Sequence, residues 1–151
     1  YCIAPTLLTS EFRKGHQFVT LTTNRPTQWA IPDFMEDHPE HETSLSNFYQ
    51  EKRDRFNLLM TGHGFEMTPS AGTYFQLADY SALANIPDTV FAEQLTVDYG
   101  VAVIPISVFS HLPEENQRII RFCFAKEDPT LALAADRLAR VKTSTAPRQR
   151  S

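Results

Sequence analysis

The stretch "QRIIRFCFAKEDPT", residues 117–130, constrains the fold more than any other, because it is a strand with a cation at its centre and apolar side chains all around it. On a two-residue period, Ile119, Arg121, Cys123 and Ala125 share one face, and Ile120, Phe122 and Phe124 share the other. Neither face reads as wet. A guanidinium is tolerated in such surroundings only when it is paired and hydrogen-bonded, and its planar donor fork matches a carboxylate or phosphate in two parallel bonds. Arg121 therefore requires an anion. From the residues alone that anion is either an Asp or Glu of the same chain or the anionic group of a bound substrate.

The remaining pattern says what packs on that strand. From Gly64 onward the order is strand ("FEMTP"), turn ("SAG"), strand ("TYFQLADY"), helix, strand ("VAVIP"), loop ("ISVFSHLPEEN"), the Arg121 strand, and a final helix. The first of these helices is expected to be capped by Asp88, to carry Phe91, Leu95 and Tyr99, and to close at Gly100. The last has Asp128 as cap, Pro129 at its first position, and Leu131, Ala134, Ala135, Leu138 and Val141 on its inner face. This is an α+β layer of helices on a small sheet. Before Gly64 the chain reads as helical: residues 6–18, with Leu8 and Phe12 on one face; 26–36, with Pro26 in the first turn and Trp29, Ala30 and Phe34; and 43–61, with Leu45, Phe48, Tyr49, Phe56, Leu59 and Met60 on one stripe and Gly62 as stop. The Thr-rich "VTLTTNRPT" should loosen or bend the first helix, and the acidic "MEDHPEHETS" reads as a linker or exposed turn.

A chain of 151 residues with 42% hydrophobic content buries a real core, in one domain or one plus part of another. The net charge of −4 gives no general attraction to nucleic acid, and the basic "KTSTAPRQRS" reads as a frayed tail. Cys2 and Cys123, far apart among apolar neighbours, suit reduced thiols in a cytoplasmic protein. The longest apolar runs are strand-length, so no membrane span is expected. The opening "YCIAP" has neither an initiator Met nor the pattern of a signal peptide, and reads as the middle of a longer chain.

Most familiar chemistries lack their motifs. The five histidines form no H-E-x-x-H and the cysteines no C-x-x-C, so no metal site is expected, and "EDHPEHE" reads as a solvated loop. "TGHGF" is a helix stop and turn rather than a phosphate loop, and there is no G-x-S-x-G. Lys14, Lys52, Lys126 and Lys142 all look exposed, and none reads as a Schiff-base lysine. What remains is Arg121 and the loop before its strand. Pro105 ends one strand, and Ser107 and Phe109 are placed to be carried over the pocket that Arg121 faces; equally, Ser107 is a turn residue and Phe109 a core side chain.

Three segments taken together, "GTYFQLADYS", "GVAVIPISVFS" and "RIIRFCFAKEDPTLALAADRL", resemble the C-terminal part of the class I/II, fold type I, pyridoxal-phosphate-dependent aminotransferases, with the nearest likeness in the branch of the methionine and kynurenine or glutamine aminotransferases. The likeness extends back through "YCIAPTLLTSEFRKGHQFVTLTTNRPTQWAI" and covers nearly the whole chain except the tail. It implies that Arg121 binds the α-carboxylate of an amino or keto acid substrate, with Pro105, Ser107 and Phe109 as pocket loop. Ile106 departs from the wider class, where a Gly commonly follows the Pro, and agrees with the methionine and kynurenine branch.

The resemblance also implies an organisation. Residues 1–42 would be the C-terminal edge of a large pyridoxal-phosphate-binding domain, 43–142 the small C-terminal domain, and 143–151 a flexible tail. The Schiff-base lysine would lie upstream of Tyr1, so this chain alone should hold no cofactor covalently and be inactive. The parent enzyme would be a cytoplasmic homodimer acting on amino acids and 2-oxo acids, with the segment Thr20 to Asn24 near the subunit interface. Three rivals stand beside this reading: a stand-alone amino-acid-binding regulatory module anchored by Arg121, a purely structural domain with Arg121 in an internal ion pair, and a piece of a pyridoxal-phosphate-dependent carbon–sulfur lyase. An autonomous module has no need of an exposed, Trp-bearing helical segment; a piece of a larger domain would leave one.

Overall fold

The computed structural model describes residues 2–20, 22–112 and 117–141. The expected tail 143–151, the end of the loop before the Arg121 strand and Lys142 lie outside these residues. The chain divides into two compact units, Tyr1–Ser44 and Leu45–Ser151.

The first unit is helical. α1 (Thr6–Val19) follows Pro5 and stops where Thr20 turns to extended backbone, so the Thr-rich run ends the helix rather than bending it. α2 (Arg25–Asp37) has a stronger start than the sequence suggested: the Asn24 carboxamide oxygen accepts from the Thr27 amide at 3.1 Å and from its hydroxyl at 3.0 Å. The expected linker at 35–44 is much shorter. Only His38–Glu40 separate α2 from α3 (His41–Leu59), because the acidic residues are compatible with helix and only the region of Pro39 interrupts it. Neither α1 nor α2 has a buried residue, and Leu7, Phe18 and Trp29 are 77%, 84% and 66% exposed.

The second unit holds the core. Along α3 the apolar stripe is buried only toward its C-terminal end, at Phe56, with Met60 buried just beyond the helix, while Phe48 is exposed. Gly62 (φ +81°) and Gly64 (φ +84°) then turn the chain in the left-handed region. The strand expected at "FEMTP" is absent. Glu66 makes one bridge to Asp79, and residues 68–70 are held instead by Gln76, a fully buried side chain that donates to the Thr68 carbonyl at 2.8 Å and accepts from the Ser70 amide at 3.2 Å. Pro69, lacking an amide proton, suits this side-chain tether better than a ladder.

Three strands form one antiparallel sheet in the order β1-β3-β2: β1 (Phe75–Asp79), β2 (Ile104–Pro105) and β3 (Ile119–Cys123). Only the last two residues of "VAVIP" pair, although Val101 and Val103 are buried. The register sets Leu77 and Ile104 on either side of Arg121. One sheet face is core, with Ala78, Ile120 and Phe122 packed against Phe56 and α4 (Asp88–Tyr99), while Phe124 and α5 (Asp128–Leu138) complete the cluster. Phe56 and Phe65 meet Phe122 at ring separations of 5.5 and 5.7 Å, and Tyr80 stacks on Phe91 at 4.0 Å.

Two expected helix caps are corrected. Asp88 and Asp128 are the first helical residues, after Pro87 and Glu127, and neither helix has a side-chain cap bond. Asp128 instead takes Arg55 at 2.6 Å and Lys52 at 3.5 Å from α3, so Lys52, which also donates to the Lys126 carbonyl at 2.9 Å, is not the exposed lysine expected. Gly100 closes α4 in the left-handed conformation (φ +66°), as its position foretold.

Candidate functional site

The second sheet face carries Phe75 and Leu77 from β1, Ile104 from β2, and Ile119, Arg121 and Cys123 from β3. The sequence suggested that both faces of β3 were covered. In the structure Ile120 and Phe122 are buried but Ile119, Arg121 and Cys123 are only half-buried, and Leu77 and Ile104 are 49% and 41% exposed. The helices of the second unit supply one apolar layer, and it lies against the Phe122 face.

On this open face Arg121 is framed by aromatic rings. Its guanidinium carbon lies 4.0 Å from the Phe75 ring centroid and 5.0 Å from that of Phe109. Phe75 pairs with Cys123 and so sits diagonally from Arg121 across β1 and β3, within reach of a long side chain. The rings favour the cation and restrict its swing without using its donors. Arg121 forms no ion pair with any described carboxylate, and its Nε is buried with no hydrogen-bond partner. Nε and a terminal nitrogen are one side of the fork that grips a carboxylate. The arrangement leaves a positioned guanidinium with donors free to take an anion.

The pocket loop is distributed unevenly around it. Pro105 pairs with Ile120 and turns the chain out of the sheet. Ser107–Phe109 form a 3-10 turn that carries Phe109 to Arg121 and leaves the residue 63% exposed, so it is not a core side chain. Ser107 faces elsewhere. Its hydroxyl donates to Asp88 Oδ1 at 2.6 Å and its amide to Asp88 Oδ2 at 2.7 Å. Sequence reasoning missed Phe75, whose proximity depends on strand register, and Asp88, whose place after a proline mimics a helix cap. No signal in the sequence links Asp88 to Ser107, nineteen positions on.

The described lysines are not arranged as a cofactor site. Lys14 pairs with Glu11 at 2.7 Å, Lys52 is held by Asp128, and Lys126 is exposed. Among the described residues no cluster of three or more His, Cys, Asp or Glu is placed to hold a metal, and no helix is long and apolar enough to cross a membrane. Both cysteines are free thiols.

Comparison with known proteins covers nearly the whole chain. Residues 1–138 match the family model described as aminotransferase class I and II. The methionine aminotransferase of Escherichia coli K12 is 44% identical over 138 residues, 91% of this chain and 36% of that protein. The kynurenine–oxoglutarate transaminase of Dictyostelium discoideum is 30% identical over 164 residues, covering 94% of this chain and 37% of its own length. A solved Escherichia coli structure, identified with a methionine aminotransferase function, superposes with a TM-score of 0.82 at 42% identity, over 92% of this chain and 36% of the other. The chain thus spans little more than a third of the relatives it matches.

Proposed function

The chain belongs to the aminotransferase class I and II family, and from that premise we propose that it is the C-terminal part of a pyridoxal-phosphate-dependent aminotransferase. The parent enzyme moves an amino group between an L-amino acid, of methionine, aromatic or glutamine-like type, and a 2-oxo acid. Arg121 binds the substrate α-carboxylate. The observation that carries this reading is the buried, unpartnered Nε of a guanidinium braced by two rings and free of any described internal anion. The names of the relatives support the substrate range, and the exposed apolar residues of α1 and α2 suit a piece that packs within a larger protein.

In family members pyridoxal phosphate supplies the electron sink that makes the Cα–H bond acidic. The described residues do not fit that cofactor, since no lysine is buried and free, and no step of the cofactor chemistry is assigned to this chain. By itself the chain is proposed to be inactive, with the Schiff-base lysine upstream of Tyr1. Its residues aim the substrate. Two parallel bonds from Arg121 fix the carboxylate plane, and with it the orientation of Cα, which is a positioning effect rather than acid–base chemistry. Residues 1–42 are assigned to the edge of the large domain and 43–142 to the small domain of a homodimer.

The test is substitution of Arg121 in the full-length holoenzyme. Arg121→Lys replaces a fork by a point charge and should raise KM for L-methionine about tenfold, while Arg121→Ala should raise it by two to three orders of magnitude, roughly 3–4 kcal/mol. The cofactor absorbance should not change in either variant. An unchanged KM in Arg121→Ala would remove the carboxylate assignment.

A further inference from the structure

Phe109 is 63% exposed, yet its ring centroid lies 5.0 Å from the Arg121 guanidinium carbon. Packing does not hold an exposed ring in place, so its position is set by the backbone of the turn that carries it. Within that turn the Phe109 amide donates to the Ile106 carbonyl at 3.1 Å, and the Ile106 amide reaches the Ile119 carbonyl at 3.3 Å. These bonds shape the turn and tie its start to β3. The anchor at its centre is Asp88, which accepts from both the amide and the hydroxyl of Ser107 at 2.7 and 2.6 Å. Such short bonds to a carboxylate are the stronger, charge-assisted kind.

Two features make Asp88 more than local stabilisation. Its side chain belongs to a residue only 3% exposed, on a helix fixed in the core by Phe91, Ala92 and Leu95, so the anchor is rigid. It also has no cation partner among the described residues, and a buried carboxylate without one is an expensive way to gain stability alone. We infer that Asp88 is a positioning residue for substrate recognition: by clasping Ser107 it holds the 106–109 turn so that Phe109 braces Arg121 in its carboxylate-binding pose. The inference rests on the reading of Arg121 as carboxylate receptor. Asp88 touches no substrate itself, and it couples the start of α4 to the receptor face through the 3-10 turn.

The experiment is a double-mutant cycle in the full-length holoenzyme. The affinity for 3-phenylpropionate, a carboxylate with no amino group, is read from the cofactor absorbance, beside KM and kcat for L-methionine. Asp88→Ala and Phe109→Ala should each weaken affinity about tenfold through KM with little loss of kcat, and the double variant should be no weaker than about tenfold, because both changes release the same brace. Asp88→Asn keeps the shape, accepts from the Ser107 amide and donates to its hydroxyl, so it should restore affinity to within about threefold. Should Asp88→Ala not fold, Ser107→Ala removes one of the two bonds and should give a smaller loss with the same non-additivity. Unchanged affinity in the Asp88 or Ser107 variant, with only a lower Tm, overturns the inference, as does an additive, roughly hundredfold loss in the double variant. Unchanged affinity in Arg121→Ala instead overturns the carboxylate assignment and this inference with it.

Discussion

Tyr80 is fully buried, with its hydroxyl donating to the Ile86 carbonyl at 2.8 Å and its ring stacked on Phe91. Burial, reinforced by Asp88 and Asp79 and opposed by Arg118, pushes its phenol far above the ordinary value of 10.0. The folded state keeps the proton while the unfolded chain releases it near pH 10, so this group's stabilisation is present below that pH and is lost as pH rises above it. Stability in urea should therefore fall on the alkaline side of pH 10, and Tyr80→Phe should lose about 1 kcal/mol at neutral pH through the missing hydrogen bond while flattening that alkaline fall. A second residue prediction concerns Phe75. Phe75→Leu keeps an apolar side chain but removes the ring 4.0 Å from the guanidinium, a contact worth about 0.5–2 kcal/mol, and should raise KM for the amino acid roughly two- to thirtyfold with kcat little changed. Arg121 stood out as a candidate in the sequence because a lone cation in an apolar strand is a local anomaly. Phe75 and Asp88 did not, since one reaches the site through strand register and the other through a hydrogen bond that spans nineteen residues.

The turn after α3 shows how element boundaries are enforced. Gly62 and Gly64 both have positive φ, but a Cβ at Gly62 meets nothing, whereas one at Gly64 would sit 2.5 Å from Leu83 Cδ2 and 3.1 Å from its Cγ. Leu83 is itself buried at 6% exposure and has little room to yield. Gly62→Ala should cost about 1 kcal/mol for the strained backbone alone. Gly64→Ala should add an overpacking cost of about 1–3 kcal/mol, and denaturant midpoints of the two variants would separate the contributions. Helices were readable wherever apolar spacing, Pro or Gly marked them, as at Pro26, Gly62 and Gly100. The strands were read too generously. "FEMTP" and most of "VAVIP" have the composition of strands, but pairing is a property of the partner: Gln76 claims the first with side-chain bonds, and only Ile104 and Pro105 find β3. Of the two readings of 35–44, linker or exposed turn, the turn is what forms, and it is confined to His38–Glu40 because acidity marks solvent exposure and does not by itself stop a helix.

At the scale of the molecule, the buried residues are unevenly divided. α1 and α2 contribute none, and every member of the core cluster lies between Phe56 and Leu138, within the second unit. That cluster includes five aromatic rings, Phe56, Tyr80, Phe91, Phe122 and Phe124, and it is closed by α3, α4 and α5 over one side of a three-stranded sheet. A domain of about 100 residues with one contiguous core is large enough to unfold cooperatively. Residues 41–151 produced alone should accordingly show one sigmoidal thermal transition, with near-UV circular dichroism from the packed rings lost together with the far-UV helical signal. A gradual, non-coincident loss of the two signals would show that the core needs the rest of the protein to order it. The same preparation should bind 3-phenylpropionate far more weakly than the holoenzyme. Arg121 and its rings lie on an open sheet face, and in the proposed enzyme they would form one side of the carboxylate site, with the large domain and cofactor supplying the rest.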